Sequence, residues 1–227
     1  MVACETSYRR RRYEAWMGAM IGLFFEVVPR AGHEQNYFDL AALLRPELDK
    51  NEGLMFIDRY KSLSRRELVL SHSLWTDEES LVRWREHTKH KATQRAGREL
   101  HFSDYRLRIA TLVAEWLRQG TSHVACRPAT PFAAEVPIRS VLAVSRTTPP
   151  VSSVSGEAFE SVYQAKEYMT IGDEWHLSNV QNNVDFLVGD PGVTAIRLFA
   201  VIRDYGMYDR AKAPQFYPPV ERQVRGS

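Results

Sequence analysis

The chain has 227 residues, of which 44% are hydrophobic and 26% charged, and its formal net charge is +2. This composition is typical of a globular protein with a sizeable core and excludes a disordered or fibrous chain. With 30 basic and 28 acidic residues, the chain has no strong positive charge that would indicate nucleic-acid binding. The sequence contains no run of 18 apolar residues, so no membrane-spanning helix is predicted. Two cysteines, Cys4 and Cys126, are too few for a disulfide framework or a four-cysteine zinc site, which favours a cytoplasmic protein.

The first half of the chain alternates strand and helix patterns. Residues 1–16, with the arginine run Arg9–Arg12, are interpreted as a flexible basic tail. Apolar periodicity and turn residues then predict six elements in the order βαββαβ. The predicted strands are Ala19–Val28, Leu54–Leu63, Glu67–Trp75 and Asp104–Val113, and the predicted helices are Glu34–Leu48 and a segment from a Thr76 N-cap to Arg98. This order is that of a ferredoxin-like unit.

The second half of the chain repeats the first in a shortened form. Phe56–Tyr60 is echoed by Phe159–Tyr163, and the strand ending at Trp75 is echoed by Tyr168–Trp175. Thr147–Gly156 replaces the first helix, so the second copy keeps four strands and loses most of its helical layer. A sheet without helices must cover its apolar face in another way, and the first copy is the available partner.

These patterns predict an α+β protein made of two ferredoxin-like plaits, fused as a pseudo-dimeric α/β barrel with reduced helices in the second copy. The predicted intact domain spans residues 17–118, the linker 119–137 and the degenerate domain 138–214. Residues 215–227 are interpreted as a C-terminal tail. Whether the fused pair associates into a further homodimer stays open at this point.

The first copy carries short motifs in a recognisable order. They include Phe25-Glu26-Val27, Leu44-Arg45-Pro46, Asp77-Glu78-Glu79, Trp84-Arg85, Gly97-Arg98 and Tyr105-Arg106-Leu107-Arg108. In this order the segment resembles the antibiotic biosynthesis monooxygenase family, whose members form dimeric α+β barrels. Arg203–Pro214 also resembles the segment after the last strand in single-domain members, and here it follows the second copy.

The resemblance implies a substrate cleft between the helices and the sheet. Members include cofactor-free oxygenases that convert anthrones to quinones, and haem-degrading enzymes. The haem degraders carry an asparagine where this chain has Phe24, and an iron-binding histidine where it has Thr93 and Gln94. The resemblance therefore implies a monooxygenase without cofactor or metal, acting on a small aromatic or polyketide-type substrate with O2.

Two residues of the second helix are predicted to be catalytic, Trp84 and His90. Trp84 occupies the position of the family's cleft tryptophan, and a flat indole suits stacking on an aromatic substrate. His90 is the predicted general base or hydrogen-bond donor, because histidine titrates near physiological pH. On a continuous helix, however, no single face holds Trp84, His87 and His90 together. The alternative role is core packing for Trp84, and a surface or helix-packing position for His87 and His90.

Strand alternation provides the predicted substrate contacts. It places Ser71, Ser73 and Trp75 on one face of their strand, and His72 on the other face as a buried, hydrogen-bonded histidine. Arg59 on the neighbouring strand is a candidate to hold an enolate or carboxylate. The full predicted set of substrate-binding residues is Trp75, Ser73, Ser71, His87, Phe24 and Arg59.

Two other functions stay open from the sequence. A non-catalytic small-molecule-binding or scaffold protein fits the loss of one cleft. A haem- or metal-binding protein would use His90, despite the departures from the haem-degrading pattern. Neither nucleic acid nor a membrane is expected as a partner.

Overall fold

The computed structural model describes residues 20–127, 139–150, 156–173 and 184–220. The predicted basic tail at residues 1–16 and most of the predicted linker lie outside these residues. The strands are β1 (Ile21–Pro29), β2 (Leu54–Ser62), β3 (Val69–Trp75), β4 (Phe102–Gln119), β5 (Ser122–Arg127), β6 (Ser140–Arg146), β7 (Glu157–Ser161), β8 (Tyr168–Asp173) and β9 (Val193–Gly206). The helices are α1 (Glu34–Leu48), α2 (Glu78–Glu86) and α3 (Thr88–Ala96), and a π-helical turn spans Gly97–His101.

The strands form one antiparallel sheet that closes on itself. The order is β1-β3-β2-β7-β8-β6-β9-β4-β5, and a further β1–β4 pairing joins the two ends of the barrel. Eight of the nine strands therefore make a closed barrel, with β5 paired only to the end of β4. Closure removes the free strand edges that a single plait would expose. The predicted barrel is confirmed.

The two halves of the barrel have the same strand order. In the first half the order is β4-β1-β3-β2, and in the second it is β9-β6-β8-β7. The halves join where β2 pairs with β7 and where β4 pairs with β9. Apolar side chains from both halves fill the barrel interior, including Phe24, Phe159 and Phe199.

The first part of the predicted linker, residues 119–127, forms strand structure. β4 continues to Gln119, and β5 folds back on it as a hairpin. Gly120 forms the turn with a φ of 62°, a left-handed conformation that glycine adopts without steric cost. The first part of the predicted linker is therefore an extension of the sheet.

The predicted second helix is interrupted at His87. Its backbone is extended there (φ −60°, ψ 129°), so α2 ends at Glu86 and α3 begins at Thr88. The carbonyl of Trp84 interacts with the His87 amide and the His90 ring, which accounts for the end of the first helix. The N-cap is also corrected from Thr76 to Asp77, whose carboxylate accepts a hydrogen bond from the Ser80 amide at 2.7 Å.

The helices cover the outer face of the first half. Apolar side chains of α1 and α2 pack against the outward-facing residues of β1, β3 and β4. In the second half, the outer face of β6 and β9 is covered instead by the short helical segment 184–188, through Val184 and Leu187. Among the described residues, the three longer helices therefore lie on one side of the barrel.

Candidate active site

A cavity of about 180 Å³ lies between the three helices and the outer face of the sheet. Its floor is built from two rows of side chains that cross five strands. The first row, along β2, β3, β1, β4 and β9, is Arg59, Ser71, Phe25, Leu107 and Tyr205. The second row, on the same strands, is Ile57, Ser73, Leu23, Ile109 and Arg203. All ten residues line the cavity.

The helices form the roof of this cavity. The roof includes Tyr37, Ala41 and Leu44 from α1, Leu81 and Trp84 from α2, and His90 from α3. Most of these side chains are apolar, so the cavity combines an apolar middle with polar groups near its edges. This is the usual composition of a small-molecule site.

Trp84 and His90 form a stacked pair at the cavity. Their ring centroids lie 4.4 Å apart with an interplanar angle of 18°, and His90 Nδ1 lies 2.9 Å from the Trp84 carbonyl oxygen. Because a carbonyl oxygen only accepts hydrogen bonds, Nδ1 carries the proton and Nε2 of the neutral ring keeps its lone pair. Burial lowers the pKa of His90 to about 4, although the Trp84 carbonyl opposes this shift. His90 is therefore neutral at physiological pH.

His87 stacks on the same indole but does not line the cavity. Its ring centroid is 5.6 Å from that of Trp84, and its buried Nδ1 has no hydrogen-bond partner in the described structure. The interruption of the helix allows both histidines to stack on Trp84, which a continuous helix would not permit. The prediction that His87 contacts the substrate is not supported by this placement.

The β3 residues predicted for the cleft all line the cavity. Trp75 donates a hydrogen bond from its indole nitrogen to the Ser73 hydroxyl over 2.9 Å, which fixes both side chains. Ser71 lies beside Arg59 in the cross-strand register. The alternation on this strand was thus interpreted correctly.

Arg59 lies at the edge of the cavity, and Tyr37 of α1 lies over it. Arg59 is 9% exposed, and its buried Nε has no partner among the described residues. Tyr37, Arg59 and Ser71 all line this part of the cavity. Burial raises the pKa of Tyr37, while the charge of Arg59 opposes that rise. Tyr37 is not among the site residues predicted from the sequence.

The second half of the chain contributes two side chains to this cavity. Arg203 and Tyr205 of β9 line it, and Arg203 forms an ion pair with Glu78 at the start of α2. The sequence signal was available, since both residues lie in the tail segment that resembles the family. They were not assigned to the site because the cleft was expected within the first copy alone.

Phe24, which was predicted to contact the substrate, does not line the cavity. Phe24 is fully buried in the barrel interior, where its ring stacks on His72 at 4.4 Å and meets Phe199 at 5.2 Å. It lies between the cavity residues Leu23 and Phe25 and therefore faces the opposite side of β1. His72 does face the interior, as expected, and its Nδ1 lies 3.1 Å from the Leu23 carbonyl oxygen.

Neither a metal site nor a membrane segment is found in the part of the chain that the structure describes. No group of three or more histidine, cysteine, aspartate or glutamate side chains there is arranged to hold a metal ion. No helix there is both long and apolar enough to cross a bilayer.

Comparison with known proteins gives the family of this chain. Residues 20–96 match the model of a family described as antibiotic biosynthesis monooxygenase. A protein of Pyricularia oryzae named jasmonate monooxygenase ABM is 30% identical over 225 residues, which is 88% of this chain and 99% of that protein.

Solved structures also align with the chain. A conserved protein from Methanosarcina mazei is 22% identical, with a TM-score of 0.39, over 43% of this chain and 95% of its own. A putative monooxygenase from Lactobacillus acidophilus is 6% identical, with a TM-score of 0.41, over 82% of this chain and 96% of its own. On the family model and the full-length relative, the chain belongs to the antibiotic biosynthesis monooxygenase family.

Proposed function

We propose that this protein is a cofactor-independent monooxygenase that oxidises a small organic molecule in the cavity between α1–α3 and the sheet. The observation that carries this proposal is the state of His90. Burial keeps its ring neutral, and the hydrogen bond from Nδ1 to the Trp84 carbonyl leaves the Nε2 lone pair available as a base. The names of the family and of the full-length relative support a monooxygenase reaction.

The proposed reaction needs no external reductant. His90 removes a proton from a carbon activated by a neighbouring carbonyl or phenol, and the resulting carbanion gives its electrons to O2. Addition of oxygen to this carbon gives a hydroperoxide, and loss of water then leaves a carbonyl group. One oxygen atom enters the product and the other leaves as water, so a CH2 group supplies all the electrons.

The protein contributes positioning and desolvation to this reaction. The apolar floor and roof exclude water, which strengthens each electrostatic interaction inside the cavity. Trp84 holds His90 in one orientation by stacking and through its carbonyl group. Because His90 already covers part of the indole, Trp84 acts chiefly as a positioning residue and a wall. The wall role is the one predicted from the sequence, and the positioning of His90 is added to it.

The size and lining of the cavity favour a small substrate with an apolar body. The cavity of about 180 Å³ is below the roughly 300–1,000 Å³ of sites for drug-sized ligands. A small aromatic or polyketide-type molecule fits this description. So does a small cyclic ketone such as jasmonate, which the name of the relative from Pyricularia oryzae suggests.

We also propose that the chain arose by tandem duplication of one ferredoxin-like unit. The identical strand order of the two halves supports this proposal. Residues 17–118 would be the intact copy and residues 138–214 the degenerate one. The site is not independent of the second copy, because Arg203 and Tyr205 line it.

The experiment compares turnover and binding in variants of His90. His90→Ala and His90→Gln are assayed for oxygen uptake, with small phenols and ketones including jasmonic acid, and for binding by calorimetry. We expect oxygen uptake to fall by about 10²–10⁴-fold, as for loss of a general base, while affinity changes little. Unchanged turnover in both variants would contradict the role of His90. Binding without turnover in the wild-type protein would favour the non-catalytic alternative.

A further inference from the structure

One end of the cavity carries a positive charge that the described structure does not neutralise. Arg59 is buried in the middle of β2 with 9% of its surface exposed. Its guanidinium forms no ion pair with any carboxylate of the described residues, and its Nε has no partner. The neighbouring Asp58 points to the other face of the strand, where its carboxylate accepts a hydrogen bond from Ser161 at 2.8 Å.

The other two arginines at the cavity are neutralised. Arg203 is paired with Glu78, and Arg85 is paired with Glu86 at 3.1 Å. Of these three cavity arginines, Arg59 is thus the one without an ion pair to a described carboxylate. An unpaired buried charge is costly, because burial removes the water that would solvate it. A protein that retains such a charge in an apolar cavity gains from an anion that binds there.

Two neutral hydroxyl groups accompany this charge. Tyr37 and Ser71 both line the cavity with Arg59. Ser71 is the direct cross-strand neighbour of Arg59, and both Arg59 and Ser71 oppose the rise that burial causes in the pKa of Tyr37. One guanidinium with two hydroxyl donors matches a planar monoanion with two oxygen atoms. A phosphate dianion would need more positive charge than this corner of the cavity provides.

We infer that Arg59, Tyr37 and Ser71 form an anion subsite that binds the carboxylate of the substrate. The substrate is then a small carboxylic acid, with the acid group at the β2 end of the cavity and the apolar body over the middle of the sheet toward Trp84 and His90. This inference rests on the proposed function for the identity of the site. Arg59 is a binding and specificity residue in this arrangement and takes no part in proton transfer.

The test uses pairs of ligands that differ only in charge. Binding of a series of small acids, such as 1-naphthylacetic acid, and of their methyl esters is measured by calorimetry on the full-length protein. We expect the best acid to bind wild-type protein about ten-fold or more tightly than its ester, since hydrogen bonds to charged groups are the strong ones. Arg59→Met should remove this preference, and it should weaken binding of the acid far more than binding of the ester. If no acid binds more tightly than its ester, the inference is wrong.

A matched control removes a positive charge from the same strand outside the cavity. Lys61 lies two residues from Arg59 and is paired with Glu34 at the surface. Lys61→Met should keep the preference for the acid, and loss of that preference would show that it reflects overall charge rather than the subsite.

Stability of the variants separates binding from structure. An unpaired buried charge contributes nothing favourable by itself, so we expect Arg59→Met to unfold at the same or a higher temperature than the wild-type protein without ligand. A marked decrease would indicate a structural role and contradict the inference. Since binding is measured without turnover, failure of the monooxygenase proposal would leave an acid preference intact. If the protein consumes oxygen equally well with esters and with acids, the monooxygenase reaction is supported and the carboxylate subsite is refuted.

Discussion

Single residues in this protein have roles that depend on the face of the strand or helix that carries them. Leu23 and Phe25 line the cavity, whereas Phe24 between them packs in the barrel interior. The strand period predicts this division for β3, where the serines and Trp75 were placed correctly. It could not place Phe24, because both faces of β1 carry large apolar side chains and the pattern does not show which face meets the helices.

The buried histidines lead to a prediction about pH. Burial lowers the pKa of His72 to about 3 and that of His90 to about 4. Both are neutral in the folded protein at pH values where the unfolded chain, with pKa values near 6.5, is protonated. Their contribution to stability is therefore complete above pH 6.5 and is lost as the pH falls toward 4.

We expect the free energy of unfolding to decrease on acidification over this range. Each histidine contributes a slope of up to about 1.4 kcal/mol per pH unit. Urea unfolding at a series of pH values measures this pH dependence of the free energy of unfolding. His72→Leu should reduce its slope below pH 6.5. Between pH 7 and 8 the two proteins should show the same slope. An unchanged slope in the variant below pH 6.5 would contradict the assignment of His72 as a buried neutral group.

Among the secondary-structure elements, the sequence predicts the ends of the first helix correctly but misses the break in the second. The helix Glu34–Leu48 was predicted with both of its bounds, because its apolar stripe is regular. The interruption at His87 was not predicted, since neither proline nor glycine marks it. It depends on the carbonyl of Trp84, which interacts with His87 and His90. The sequence pattern carries no sign of this arrangement.

The N-cap Asp77 is expected to stabilise α2. Asp77 accepts a hydrogen bond from the Ser80 amide, so Asp77→Ala should lower the free energy of unfolding by about 1 kcal/mol. Asp77→Asn should retain most of the stability because asparagine caps well. Glu79→Ala removes only an exposed pair with Arg83 and should cost less than about 0.5 kcal/mol. Equal effects of the two alanine variants in urea unfolding would argue against the cap.

For the whole molecule, the site and the barrel depend on both halves. β9 supplies Arg203 and Tyr205 to the cavity, while Phe199 on the same strand packs against Phe24 in the interior. The sequence predicted a fused barrel from the echoes between the halves. It did not predict this contribution of β9, because the register between β4 and β9 depends on local bulges that the residue pattern does not reveal.

The contact between the halves can be tested at Gly22. A Cβ atom at this position would lie 2.5 Å from the Phe199 ring, so Gly22→Ala should lower the free energy of unfolding by about 1–3 kcal/mol. Adding Phe199→Leu should recover part of this loss. Gly189→Ala is the control, since its Cβ would have no neighbour closer than 3.5 Å. If thermal unfolding shows that Gly22→Ala is as stable as the wild-type protein, this packing is contradicted.

We propose that this cavity inserts oxygen from O2 without a cofactor. The most direct measurement is mass spectrometry of products formed by the purified, metal-free protein under isotopically labelled O2, with a panel of small phenols, ketones and carboxylic acids. We expect one labelled oxygen atom per product molecule, no requirement for added reductant, and loss of the label in His90→Ala. A panel in which no product gains the label, or gains it only when reductant or haem is added, would contradict the account.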